Sequence, residues 1–254
     1  MTDTIAPPLD RPALGVGTLI GESFRTFGAR FVALTLVTFL PLVLVALGTS
    51  AVALLAVTTS ADPGLAGAVG GLFLLLGGVA MLVGQAMIVQ IAYDARLGRR
   101  SDYAAVLKRG IAKTPYIVVL GFVLGLASGA GLLLLVVPGL WIFAALSLTV
   151  PAIVVEDANW RGLGRSYALT RGYRWPLLGL IVVMYLPAIA IEIVAGFVGA
   201  AIGEVVSGLM AEMAISLFGA VGSALFNLAL VLAYARLREI KEGISVDRIA
   251  DVFA

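Results

Sequence analysis

Cysteine and histidine are both missing from the 254 residues. That excludes disulfides, thiolate chemistry, haem or zinc sites of the usual kind and any triad built on imidazole. No metal and no cofactor is expected. Any catalyst would have to be assembled from carboxylates, lysine, serine or tyrosine. Charge is scarce as well, at 13% of residues against about 25% in soluble domains. With 61% hydrophobic residues and a mean hydropathy of +1.09, a water-facing exterior cannot be built, so the exterior must be lipid. The N-terminus lacks a basic stretch followed by an apolar core and a cleavage site. The first span is therefore expected to act as its own insertion signal.

What the chain does contain is a series of apolar runs. A bilayer core needs about 20 residues, and runs near that length fall at about 32–57, 65–93, 116–137, 140–155, 176–201 and 214–234. Pro41 lies inside the first, where a membrane helix tolerates it. Pro138-Gly139 reads as the tight turn between the third and fourth. The fold expected is an all-α polytopic membrane protein, with six transmembrane helices arranged as three hairpins. Residues 16–240 form the membrane domain, between a disordered tail at 1–15 and a cytoplasmic tail at 241–254.

The charges fix a topology. All 17 Lys and Arg fall in alternate connections: three before the first span, six after the second, four after the fourth and four after the sixth. The intervening connections carry none. Lys and Arg favour the cytoplasmic side, so both termini are expected there. Asp62, Glu204 and Glu212 then face outward, and Glu192 lies in the outer half of the fifth span. The net charge of +2 is a topology signal, and nucleic acid is not expected as a partner.

Short amphipathic feet precede the hairpins. Ile20, Phe24, Phe27 and Phe31 recur at helical spacing among Glu22, Arg25 and Arg30, which suits an interfacial helix. Tyr103, Val106, Leu107, Gly110 and Ile111 follow the same pattern with Lys108 and Arg109, and Ser101 is placed to cap that helix. In 159–175, Trp160, Leu163 and Tyr167 share one side near Arg161 and Arg165. The joints FGARF (27–31), RGIAKTPY (109–116) and RGYRW (171–175) read either as a threefold repeat or as anchors that gather at any cytoplasmic entry point.

Three groups of residues are candidates for sites. Gly121, Gly125 and Gly129 at four-residue spacing, and Gly70, Gly77 and Gly84 at seven, are expected to be packing seams within the bundle, with a homo-oligomer face as the alternative. Glu192 is an acid well inside an apolar run, which marks a functional residue or one reaching the headgroups. Gln85, Gln90 and Asn227 either line a polar cavity with it or hydrogen-bond between helices. Glu156, Arg165, Ser166, Arg171 and Arg174 either hold anionic lipid headgroups, since guanidinium suits phosphate, or form a structural ion pair between Glu156 and Arg165.

The stretch with Pro138-Gly139, Pro151, Glu156, Arg165-Ser166, Leu169, Gly172 and Trp175 resembles a bacterial family named after the membrane domain of glycerophosphoryl diester phosphodiesterases. Gly162, Gly164 and Tyr167 depart from its usual pattern. The resemblance implies an inner-membrane protein of unassigned function, a partner or transporter near lipid metabolism. It does not carry over the diesterase chemistry, which resides in a separate soluble barrel. The resulting expectation is a non-enzymatic accessory module touching anionic lipids on the inner leaflet, with a protein partner or second copy as further contacts. The alternative is a small-molecule or lipid transporter using the intramembrane polar residues.

Overall fold

The computed structural model describes residues 12–58, 63–205 and 208–243. Most of the two expected tails, and the loop holding Asp62, lie outside the described residues. Among those described there are nine α-helices and no strand. They are α1 (Val16–Ala29), α2 (Phe31–Thr58), α3 (Pro63–Arg96), α4 (Tyr103–Leu134), α5 (Val136–Leu146), α6 (Thr149–Val155), α7 (Gly162–Thr170), α8 (Arg174–Val205) and α9 (Gly208–Glu242). Six stretches are long and apolar enough to cross a membrane: Phe31–Leu55, Gly67–Arg96, Tyr103–Leu134, Val136–Val155, Arg174–Ala201 and Gly208–Glu242. The protein is an all-α, multi-pass membrane protein.

Several expected boundaries move. The second foot is not a separate element, because α4 runs unbroken from Tyr103 through Pro115 to Leu134. Its N-cap is Asp102, whose carboxylate accepts from the backbone N–H of Ala104 and Ala105. Ser101 sits one position too early for that role. The turn between α4 and α5 is a single extended residue, Leu135. Pro138 instead occupies the first turn of α5, where its missing N–H leaves no helical bond unmade. Gly139 serves close approach, since a Cβ there would lie 2.5 Å from the backbone nitrogen of Leu132. The fourth span is two helices, α5 and α6, broken at Ser147-Leu148. α9 continues to Glu242, well past the apolar limit at 234.

α9 is the centre of the bundle, packed by α8, α2, α3 and α1. Leu228, Val231, Leu232, Tyr234 and Leu237 on it are all fully or almost fully buried. The core lies at the basic end of the molecule, where Ile88 and Ile91 of α3, Leu148, Ile153 of α6, Leu169 of α7 and Leu177 and Leu180 of α8 also have no exposure or almost none. Further from that end the helices present apolar side chains such as Leu40, Leu75, Phe122 and Phe197 outward, as a lipid-facing surface requires.

The two glycine series part company. A Cβ on Gly70 would meet Val52 at 2.9 Å, one on Gly77 would meet Val45 at 2.4 Å, and one on Gly84 would meet the Val37 carbonyl at 2.9 Å. These glycines let α2 and α3 approach along their length. A Cβ on Gly121, Gly125 or Gly129 would meet nothing within 4 Å. The seam expected there inside the bundle is therefore corrected: the close approach of α5 to α4 falls at Gly131 and Gly139, and not at Gly121, Gly125 or Gly129.

Candidate functional site

At the basic end, the loop after α6 is held from three directions. Glu156 ends α6 and takes both forks of Arg165 from α7, at 2.6 and 2.8 Å. Arg238 of α9 approaches the same carboxylate at 3.0 Å, and the Tyr234 hydroxyl donates to it. Arg165 and Arg238 both continue to Glu242. Burial pulls the Glu156 carboxyl up, but the hydrogen bonds from Arg165 and Tyr234 and the charges of Arg238 and Arg165 outweigh it. The group is held below the usual 4.5. Asp157, in the left-handed region at φ 54, turns the other way, to Lys113 at 2.6 Å and Arg109 at 2.9 Å of α4. Its hydrogen bond with Lys113 is the main cause holding it below the usual carboxylate range. Arg109 also donates to the Val154 carbonyl at 3.0 Å, closing an orphan group at the end of α6.

Ser166 has a different task from its neighbour. It is fully buried, donates to the Ala145 carbonyl at 2.9 Å and accepts from the Leu148 N–H at 3.2 Å. Thr170, one turn on, donates to the same carbonyl at 3.0 Å. The break between α5 and α6 strands those backbone groups, and α7 supplies their partners. The Arg165-Ser166 pair thus joins α7 to both ends of α6.

Of the two readings open for this group, the Glu156–Arg165 ion pair is present, and Arg174 is not placed to hold a headgroup. The fork of Arg165 is committed to carboxylates. Arg174 is 8% exposed and lies between the rings of Trp141 and Tyr167, 4.0 Å from each centroid. A flat, weakly hydrated guanidinium tolerates that stacking where an ammonium would not. Arg171 is exposed.

The other basic residues divide in the same way. Arg96 bridges Glu22 of α1 and Glu239 of α9 at 3.1 and 2.8 Å, tying α1 to the bundle. In contrast Arg25, Arg99, Arg100, Lys108, Arg161 and Arg171 are exposed and pair with no acid among the described residues. Phe24, Leu107 and Trp160, each beside one of them, and Tyr103, Tyr167 and Trp175 near by, are exposed too.

A second feature lies within the spans. Thr38 of α2, Gln85 of α3, Glu192 of α8 and Ser216, Ser223 and Asn227 of α9 line one cavity of about 430 Å³. Gln85 donates to Asn227 at 3.2 Å. Gln90, expected with them, is absent from that lining. It donates to Asp94 one turn along its own helix at 3.0 Å. The expected polar group is therefore corrected to Gln85, Asn227 and Glu192, joined by three hydroxyls that sequence reading missed. Ser216, Ser223 and Asn227 at i, i+7 and i+11 were the available signal, a polar stripe on one face of α9.

A family model matches residues 103–237, more than half of the chain. The protein belongs to the family described as Domain of unknown function (DUF7847). No curated protein and no solved structure matches it. The DUF7847 region begins with α4 and ends inside α9. It contains Arg109, Lys113, Glu156, Asp157, Arg165, Ser166 and Tyr234 of the basic end, and Glu192, Ser216, Ser223 and Asn227 of the cavity. Arg238 and Glu242 fall just beyond its limit, and Thr38 and Gln85 precede it.

Proposed function

We propose that this protein is a non-enzymatic accessory module of a bacterial cytoplasmic membrane, seated by its basic end on anionic lipid headgroups of the inner leaflet. The observation that carries this reading is the division of its cations. Arg96, Arg109, Lys113, Arg165 and Arg238 are engaged with carboxylates inside the protein. Arg25, Arg99, Arg100, Lys108, Arg161 and Arg171 point outward among exposed aromatic and apolar side chains. That mixture of unpaired cation and interfacial ring suits a headgroup layer. Six spans with both termini cytoplasmic follow from the same charges. The non-enzymatic reading is supported by Ser166, whose hydroxyl is fully occupied by backbone groups. The likeness of 138–175 to the membrane-domain family adds a setting near lipid metabolism.

The test is thermal unfolding in nanodiscs. Each surface cation is worth about 1 kcal/mol near an anionic leaflet. The midpoint in phosphatidylglycerol is expected several degrees above that in phosphatidylcholine at low salt. The gap should close in about 1 M salt, where the Debye length is about 3 Å. Equal midpoints at low salt would overturn the reading.

A further inference from the structure

The cavity between α2, α3 and α9 carries an inference separate from the lipid-facing belt. α8 reaches it through one residue, Glu192, whose side chain leans across Gly219. A Cβ on Gly219 would stand 3.0 Å from Glu192 Oε1, so the glycine makes room for the carboxylate. Glu192 lies 18 residues beyond Arg174, about 27 Å along the helix at 1.5 Å per residue, with 13 more residues of α8 still to come. It has no hydrogen bond or ion pair with any described residue, and no Lys or Arg lines the cavity. Glu192 is itself exposed and lies towards the outer end of its span, so the site presents one accessible carboxylate with no counter-charge.

The remaining polar groups sharpen the kind of cation. The Thr38 hydroxyl donates to the Ala220 carbonyl at 3.0 Å. The Gln85 amide N–H donates to Asn227, and the Asn227 amide N–H to the Ser223 carbonyl at 2.9 Å. One N–H of each amide and the Thr38 hydroxyl are thus engaged within the protein. What the cavity has left to offer is rich in acceptors: the Glu192 carboxylate, the Gln85 carbonyl and the hydroxyl oxygens of Ser216 and Ser223. A ligand with several N–H donors fits that set, as –NH3+ does. No aromatic ring lines the cavity, so the cage that recognises quaternary ammonium is missing. The volume of about 430 Å³ far exceeds a bare metal ion, and Pro41, Leu42, Leu82 and Ile88 give an apolar wall for a hydrocarbon body.

We propose that this cavity binds a small primary amine in its ammonium form, with Glu192 as counter-ion and its apolar body against α2 and α3.

The experiment uses the full chain purified in mild detergent, titrated with n-butylammonium, tetramethylammonium or sodium chloride at matched ionic strength. Thermal unfolding and calorimetry are the readouts. Butylammonium is expected to raise the midpoint, and the other two are not. Glu192→Gln, which keeps shape and removes charge, should weaken butylammonium binding at least about tenfold, as loss of a charge-assisted bond implies. Ser216→Leu, which fills the cavity and leaves Glu192 in place, should abolish binding, and it carries the test if Glu192→Gln does not fold. The proposal is overturned by the absence of a butylammonium effect, by an equal effect of all three salts, or by undiminished binding in either variant.

Discussion

Glu156→Ala is expected to cost about 2–3 kcal/mol of stability, measured by denaturant titration in mild detergent. Breaking a fully buried ion pair from one side costs about 3–5 kcal/mol. Here the side chains of Glu156, Arg165 and Arg238 retain 18%, 27% and 17% exposure, which lowers the figure. The loss arises because three donors converge on one carboxylate. Arg165 and Arg238 would be left with Glu242 as their one carboxylate, and the Tyr234 hydroxyl, on a residue with no exposure, would lose its acceptor. Arg171→Ala, at an exposed site, should change stability by less than about 0.5 kcal/mol. The pH dependence has a definite sign. The folded carboxyl lies below its ordinary 4.5, so its contribution is complete above that value and is lost as pH falls through the folded value. Glu156→Ala should therefore flatten the acid limb of the stability curve. A penalty under about 1 kcal/mol would show that the network does not hold α6, α7 and α9 together.

Gly139→Ala should destabilise by about 2–3 kcal/mol, the range for overpacking a tight contact. The added methyl would meet the Leu132 nitrogen at 2.5 Å and its Cα at 2.8 Å. Backbone cannot rotate aside as a side chain can, so α4 and α5 must separate where their hairpin is closest. The same change at Gly125, with nothing within 4 Å, is expected to be neutral or slightly stabilising, since alanine favours the helix. Unfolding of the two variants under one denaturant series gives the comparison. Equal effects at the two positions would contradict the close approach.

These two sites show how far the sequence could be read. Apolar length depends on local composition, so the number and order of the spans were legible, while α4 begins at Tyr103 and α9 ends at Glu242, well outside the apolar limits at 116 and 234. Gly139 was legible as important but not in its role. A proline-glycine pair favours a turn, and only the position of Leu132 across the hairpin shows that the glycine is needed for contact. Glu156 and Arg165 lie nine residues apart and were visible as a pair. Tyr234, Arg238 and Glu242 lie about 80 residues away in a stretch that hydropathy alone assigns to the end of a span and a tail. Their i, i+4, i+8 spacing places them on one helix face and was the usable sign that α9 continues. Gly121, Gly125 and Gly129 mark the opposite failure: a regular small-residue stripe says that approach is allowed, and nothing in it says that a neighbour is there.

The division of cations into an internal network and an outward belt is tested most directly by native mass spectrometry of lipids retained from an anionic membrane. The variant Arg99→Gln/Arg100→Gln/Arg171→Gln is expected to lose bound phosphatidylglycerol relative to the unmodified chain while unfolding at the same denaturant concentration. Retention equal to that of the unmodified chain would contradict the assignment of those residues to the headgroups.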